Sequence, residues 1–406
     1  MSMQPLRIRK SRSLPLVPVP AGIEMVGLSA AVTHLLPRNA AGVVSEGQRV
    51  AAGQPLCRGA KHGAFASSAG VVRRVMPWDR GPHGFLTAVR IACEPSDDRH
   101  AIGEPVRDQL AADPSVLRSA CAALGFPLPD DAAALLVLLV DEDVGCVTNR
   151  WFLEKEFEKV LCGIQLLDRL FTDTAIHIAA PSALSHGRRK KLSAHGRIIP
   201  LAMRYPAVLP VLIAKNVLSG GTGGKIAVIE GWRLVALSGA LAQGCAVTTT
   251  QVALRIGRNG QTRLFEVPVG ISLRDFLDGR GVRVDNGAQV VLGGEMRGTA
   301  VDTLDQPLAA DTGAVLVFPS RAAAVPENTP CVGCGRCNRV CPAGLRVDLL
   351  GKCVEFSQDE ELLRLDIDQC IDCGMCAAWC IVRRPLAHLM AYGKRRVLRA
   401  KEASGG

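Results

Sequence analysis

Eight of the chain's 15 cysteines fall in two runs of identical spacing, and any fold must accommodate both. They read Cys331-Val-Gly-Cys334-Gly-Arg-Cys337-Asn-Arg-Val-Cys341 and Cys370-Ile-Asp-Cys373-Gly-Met-Cys376-Ala-Ala-Trp-Cys380. Each is C-x2-C-x2-C-x3-C, a spacing that lets three thiolates wrap one iron–sulfur cube while the fourth reaches elsewhere. Gly333, Gly335 and Gly374 keep side chains clear where backbone N–H groups must approach the sulfurs. Structural zinc pairs two C-x2-C knuckles, and three cysteines at two-residue intervals followed by a fourth do not fit that tetrahedron. A disulfide framework is excluded as well, because a chain of 406 residues needs no staples and carries no plausible secretory signal.

Length and a hydrophobic content of 48% imply two to four domains with real cores. The formal charge is +10; with roughly −2 on each of two ligated cubes it falls to about +6, that is 10 − 2 − 2. Such an excess suits an acidic partner or an anionic membrane surface. The basic runs Gly187–Lys191 and Gly393–Lys401 lack interleaved aromatics, so they read as a solvated face and a tail, with no nucleic acid as partner. The longest apolar run, Ala132 to Val140, is half the length a bilayer requires and reads as a buried strand. At the N-terminus Arg7, Arg9, Lys10 and Arg12 precede Leu14-Pro-Leu-Val-Pro-Val-Pro, where three prolines break the helix of a signal sequence. The expected location is the reducing cytoplasm.

Taken in order, residues 1–100 read as all-β, with glycine turns around short β-branched pairs at Gly42–Leu56 and Ala66–Val72. This part looks like the barrel-sandwich hybrid of biotinyl and lipoyl carriers, but Lys61 beside His62 lacks their motif and reads as an ordinary loop lysine. Residues 101–225 read as α/β, with strands at Leu135–Val140 and Ala175–Ala179 flanking a helix over 150–170. His177, between two isoleucines, is expected to be a core or edge histidine. The glycine-rich Ser219–Gly224 precedes a strand at Lys225–Glu230, so it reads as a connection and not as a phosphate loop. Residues 226–320 form a second β-rich unit, with a strand at Thr262–Val269, a helix N-capped by Ser272, a Gly293-Gly294 turn and a closing strand at Val315–Phe318. A linker after Pro319 leads to the cysteine module, 321–406. The cysteines at 57, 93, 121, 146, 162, 245 and 353 are scattered and read as buried thiols.

Each cysteine run resembles that of bacterial ferredoxins. The resemblance implies crossed ligation, with Cys331, Cys334, Cys337 and Cys380 on one 4Fe-4S cluster and Cys370, Cys373, Cys376 and Cys341 on the other. The order of modules, together with Ile8-Arg-Lys10, Gly163-Ile-Gln-Leu-Leu167, Val267-Pro-Val-Gly-Ile-Ser-Leu-Arg-Asp-Phe-Leu277 and Val291-Leu-Gly-Gly-Glu-Met-Arg-Gly298, resembles RnfC of the Rnf ion-translocating electron-transport complex. Related chains are the A subunit of the quinone-linked sodium pump, which lacks these cysteines, and the cobalamin reductase of propanediol microcompartments. The implied architecture is multidomain α/β and α+β: an N-terminal barrel-sandwich hybrid, a degenerate Rossmann-like α/β domain, a β-grasp domain of the soluble-ligand-binding (SLBB) type and a C-terminal dicluster ferredoxin domain. The implied partners are the other subunits of a membrane-bound complex and a soluble redox donor such as ferredoxin or a flavoprotein, on the cytoplasmic face of the inner membrane.

The family's cofactor loops are altered here. Its Gly-Gly-Ala-Gly-Phe-Pro appears as Ala123-Leu-Gly125-Phe126-Pro127, its Glu-Cys-Glu-Pro as Asp141-Glu142-Asp143-Val144, and its Tyr-Pro-Ser-Gly-Gly as Tyr205-Pro206-Ala207-Val208-Leu209. Large side chains at such positions keep backbone donors away from phosphates, so FMN and NADH binding are expected to be weak or absent. Ile381 replaces the proline that follows the fourth cysteine of such runs, whereas Pro342 is kept. No catalytic acid, base or nucleophile set is legible. The expected function is iron–sulfur electron transfer within a membrane-associated complex. The alternatives are an FMN-dependent NADH-oxidising subunit and a structural adaptor with stabilising clusters.

Overall fold

The computed structural model describes residues 13–403 except 28, 39, 59–63, 80–83, 130, 219–223 and 321–328, and only the backbone of 216–218 and 401–403. Lys61 and His62, the N-terminal basic residues 7–12, most of the 219–224 loop and the linker 321–328 therefore lie outside the described residues.

Among the described residues, three larger sheets, two two-stranded ones and a helical module make up the mixed α/β architecture. Near the N-terminus, Ala31–Leu35, Phe85–Cys93, Gly70–Asp79 and Arg49–Val50 form an antiparallel sheet in that order. Its core holds Val32, Leu36, Leu56, Val72, Val89 and Ile91. His34 is buried there, and its Nε2 accepts the Ser67 N–H at 3.1 Å.

The second sheet is wholly parallel, ordered Arg197–Leu201, Ala175–Pro181, Ala134–Leu138, Ile226–Glu230. Ala134 to Val140 is fully buried, as a continuous apolar strand with a covered face on each side must be. Helices Pro114–Ala123, Phe157–Leu170 and Gly231–Gln243 join one large core, while Ile213 of Pro210–Leu218 packs with Leu136 and Leu138 in another. His177 is buried within this sheet, as expected of a core histidine.

Two expectations need correction. The single helix over 150–170 is two helices, Thr148–Lys155 and Phe157–Leu170. Glu156 leaves helical geometry between them (φ −126°, ψ 39°), which puts Phe157 into the core and leaves Lys155 and Glu158 exposed. The boundary drawn at 225/226 cuts the parallel sheet, because Ile226–Glu230 is its fourth strand and Gly231–Gln243 covers it. Local periodicity does not say which sheet a strand joins.

The third sheet is mixed and six-stranded: Thr299–Val301, Gln289–Leu292, Ala314–Phe318, Thr249–Ile256, Arg263–Pro268 and Ile23–Met25. Its last strand comes from the N-terminal region and pairs in parallel with Arg263–Pro268. The helix Leu273–Asp278 begins where expected, with the Ser272 hydroxyl accepting the Asp275 N–H at 3.0 Å.

The cysteine module is helical. Val347–Glu355, Asp359–Arg364 and the long Leu386–Ala403 close around Leu350, Leu362, Ile367, Met390 and Val397. Gly393 sits at the tightest crossing, where a Cβ would lie 2.5 Å from Val354 Cγ2 and 2.7 Å from Ile367 Cδ1. Gly393→Val is therefore expected to cost about 1–3 kcal/mol by overpacking, read as a lowered melting temperature.

Burial also lowers the His34 pKa from 6.5 to about 4. The unfolded chain binds the extra proton in that window, so the stabilisation is complete above pH 6.5 and is lost as pH falls toward 4. About 3 kcal/mol is at stake. Amide exchange in Ala31–Leu35, corrected for intrinsic rate, should lose protection between pH 6.5 and 4.5, and His34→Gln should flatten that dependence.

Candidate iron–sulfur site

The glycines expected to clear space around the sulfurs have the required backbone. Gly333 and Gly335 both have φ +65° and Gly374 has φ +70°. Gly335 and Gly374 also N-cap the short helices Arg336–Val340 and Met375–Ala378. A Cβ on Gly374 would lie 2.5 Å from the Met296 carbonyl oxygen of the mixed-sheet unit, so no other residue fits there.

Cys341 is placed with the second run. It is a charge neighbour of Cys370, Cys373 and Cys376, which also act on one another. Burial pushes the Cys370 thiol up to about 11 and the Cys373 thiol up to about 12, and Cys376 also rises, with neighbouring thiols adding to all three. The N–H groups of Asp372 and Met375 donate toward the Cys370 and Cys373 sulfurs and oppose that rise. Two buried sulfurs, Cys373 and Cys376, and two half-buried ones, Cys341 and Cys370, with Asp372 beside Cys370, form a donor set for a thiophilic, multiply charged group.

The other set is more open. Cys331 and Cys334 are exposed, Cys337 is buried and Cys380 is half-buried. Cys331 is a charge neighbour of Cys337. Arg384 joins the remaining ends: its backbone N–H donates to Cys380 Sγ at 3.4 Å, and its guanidinium bonds Cys331 and Glu355. Among the described residues, no three His, Cys, Asp or Glu side chains close around a single metal ion. A mononuclear zinc site would need sulfurs about 3.8 Å apart, from a Zn–S bond of about 2.3 Å.

The second cysteine loop is docked on the parallel-sheet unit. Tyr205 is fully buried and its hydroxyl donates to the Cys373 carbonyl oxygen at 2.6 Å. Val140, Val144, Val208, Leu209, Cys373 and Met375 pack around it. On the far side, Lys394 donates to the Cys370 carbonyl oxygen at 2.6 Å and to Asp372 at 2.9 Å.

Beside this contact, where the parallel sheet meets the mixed sheet, lies a cavity of about 230 Å³ lined by Glu142, Asp143, Thr148, Glu230, Gly294 and Arg297, among others. Asp143 accepts the N–H groups of Val144, Met296 and Arg297 at 2.6–3.0 Å. Burial outweighs these bonds and pushes its carboxyl up to about 6. Glu142 is raised by burial too, and next by Glu230.

Residues 324–381, which include all eight clustered cysteines, match the family model of the 4Fe-4S dicluster domain. Among curated proteins, the chain is 25% identical over 353 residues to the RnfC-type component of the ion-translocating oxidoreductase complex of Yersinia enterocolitica, covering 78% of this chain and 50% of that protein. It is 23% identical over 204 residues to the corresponding component of the proton-translocating ferredoxin:NAD(+) oxidoreductase complex of Clostridium ljungdahlii, covering 48% of this chain and 45% of that one. The chain is a relative of RnfC. It spans about half the length of the curated relatives it matches. Among solved structures, an NAD+-reducing [NiFe]-hydrogenase in its air-oxidized state aligns over 72% of this chain and 63% of its own at 15% identity and a TM-score of 0.46.

The family's flavin loops can now be tested against the residues in place. Val208 and Leu209, at the loop's two glycine positions, are 0% and 1% exposed and pack against the cysteine loop. Ala123 to Pro127 do not line the cavity, and Asp141 beside it is in a buried ion pair with Arg150 at 2.6 Å. At about 230 Å³, the cavity is also below the ~300–1,000 Å³ common for sizeable ligands. The Tyr205 loop thus carries packed side chains where the family's loop has glycines.

Sequence reasoning missed Tyr205 as a partner of Cys373, Arg384 as the tie between Cys331 and Cys380, and Lys394 behind Cys370. Each acts across tens of residues or more, and no local spacing marks them. Tyr205→Phe leaves the Cys373 carbonyl without its buried donor. It is expected to cost about 1–2 kcal/mol, read by denaturation of the anaerobic protein.

Proposed function

We propose that this chain is the iron–sulfur electron-transfer subunit of a membrane-associated Rnf-type redox complex, with no flavin or nicotinamide chemistry of its own. The carrying observation is the convergence of Cys341 with Cys370, Cys373 and Cys376. It supports the crossed ligand sets, with Cys331, Cys334, Cys337 and Cys380 serving the other cube. When bound, two 4Fe-4S clusters supply one-electron transfer. The chain's own residues keep one ligand set dry against the parallel sheet and leave Cys331 and Cys334 of the other open to a partner.

In the same reading, the antiparallel sheet is the barrel-sandwich hybrid, the parallel sheet the degenerate Rossmann-like unit, and the mixed sheet with its Ser272-capped helix the SLBB β-grasp. The second boundary then falls near residue 248, after Gly231–Gln243. Among the described residues, no helix is long and apolar enough to cross a membrane. A peripheral position on the cytoplasmic face, held by other subunits of the complex, is consistent with that.

The test is iron, flavin and EPR analysis after anaerobic purification, with dithionite and NADH added separately. About eight irons per chain, no flavin, and signals from dithionite alone are expected. Cys341→Ser and Cys380→Ser should each remove about four of those irons, from different EPR signals. Stoichiometric FMN with NADH-driven reduction would make the chain a dehydrogenase subunit, and clusters that dithionite fails to reduce would make it an adaptor.

A further inference from the structure

The strands Gly70–Asp79 and Phe85–Cys93 run on past the rest of the antiparallel sheet. Ala31–Leu35 accompanies the second only as far as Ala88, and Arg49–Val50 accompanies the first only at Gly70 and Val71. Among the described residues, Pro77 with Thr87, Trp78 with Leu86 and Asp79 with Phe85 have no third strand beside them. The Leu36 N–H, donated to the Thr87 carbonyl oxygen at 2.8 Å, ties their base to the sheet. These pairs make an arm about 10 Å long, at ~3.3 Å per residue.

Side chains directly opposite in an antiparallel pair share a face. One face of the arm carries Met76, Trp78 and Leu86, with Arg74 opposite Arg90 at its base, and the other carries Val75, Pro77 and Phe85. Phe85 is 69% and Val75 37% exposed, and Pro77 and both arginines are exposed as well. The arm is thus apolar on both faces. Its free edge does not invite another strand, since the Glu46 side chain accepts the Val75 N–H at 2.9 Å and Pro77 has no N–H to offer.

The base of the arm is cationic. Arg74 and Arg90 set like charges directly opposite each other, which destabilises a ladder. Neither they nor the exposed Arg73 has a carboxylate partner among the described residues. Arg38 adds a fourth guanidinium, its Nη2 3.8 Å from where a Cβ on Gly84 would lie. The carboxylates on and beside the two strands are Asp79, Glu46 and Glu94, and Glu94 is taken by Arg49 at 2.6 Å. Positive charge is in local excess.

We propose that this arm seats the chain on an anionic phospholipid surface, its apolar end in the headgroup layer and Arg73, Arg74 and Arg90 at the phosphates. The inference builds on the membrane-associated reading above, in which other subunits hold the chain, and gives the chain a lipid contact of its own. An arm of about 10 Å matches the ~5–10 Å to which interfacial elements sink, and aromatic side chains backed by cations suit that layer. A partner protein covers one face of a strand pair, whereas a lipid interface surrounds both. Trp78 and Phe85 lie on opposite faces, so they make no platform on which bases stack. Asp79 opposes the contact from the same end.

The test uses the full chain, purified anaerobically, with iron content, the dithionite-reduced EPR spectrum and the melting temperature recorded for every variant. These readings decide electron transfer and folding separately from lipid binding. Sedimentation with mixed phosphatidylglycerol and phosphatidylcholine vesicles, or with phosphatidylcholine alone, is followed across a salt series. Arg74→Glu/Arg90→Glu is compared with Lys155→Glu/Lys190→Glu, an equal charge change at exposed positions on the parallel-sheet unit. Phe85→Ser is compared with Phe356→Ser, a similarly exposed aromatic (73%) on the cysteine module.

The expected result is binding that needs phosphatidylglycerol and weakens with salt. It should fall about tenfold in R74E/R90E and about fivefold in F85S, and change less than about twofold in K155E/K190E and F356S. Asp79→Asn should tighten it. Equal losses in the paired variants would reduce the contact to net charge and general stickiness and overturn the proposal. So would equal binding to phosphatidylcholine alone. Undetectable vesicle binding by a folded chain with full iron content would also overturn it, and would assign membrane attachment to the other subunits.

Discussion

The C-terminal module depends on bringing Cys341 to Cys370, Cys373 and Cys376 across nearly thirty intervening residues. Like charges on four sulfurs repel, and burial makes each thiolate harder to form. The N–H groups of Asp372 and Met375 and the Lys394 ammonium offset this only in part, so burial and like charge still oppose the gathering. The helical core of Leu350, Leu362, Ile367, Met390 and Val397 must therefore hold the halves together, and Gly393 must stay small for the long helix to seat. Apolar packing supplies the driving force that the ligands oppose.

The same module is tied into the rest of the chain at its less exposed end. Tyr205 binds the Cys373 carbonyl, and the Met296 carbonyl lies where a side chain on Gly374 would be. The contact is made at the end of the parallel sheet, the place where open α/β sheets usually receive a ligand. Val208 and Leu209 fill it with apolar side chains in place of close-approach glycines. A site that admits phosphates needs bare backbone, and a site that packs against another module needs side chains. This chain has the second kind of loop.

The elements legible in the sequence were those whose cause is local. Cysteine spacing, the positive-φ glycines, the Ser272 cap and the buried strand at 134–138 each follow from residues within a few positions of one another. Partner choice was not legible. Ile226–Glu230 reads as a strand but gives no sign that it joins Ala134–Leu138, and Ile23–Met25 gives none that it extends the mixed sheet. The helix break at Glu156 was hidden because Trp151, Phe152, Leu153 and Phe157 are all apolar core residues, and continuous periodicity masks a change of direction. Tyr205 and Arg384 were missed for the related reason that their partners are distant in sequence.

Charge placement links the two ends of the module. Five arginines flank the open cysteine set, of which Arg384 pairs with Glu355 and Arg346 with Asp348, and three aspartates lead into the covered one. Cations close to a bound cluster favour its reduced, more negative form, and anions disfavour it. Arg384 acts most directly, since it is 6% exposed and touches both Cys331 and Cys380. The covered set is offset in part by Lys394, which neutralises Asp372 and leaves Asp366 and Asp368 as the excess.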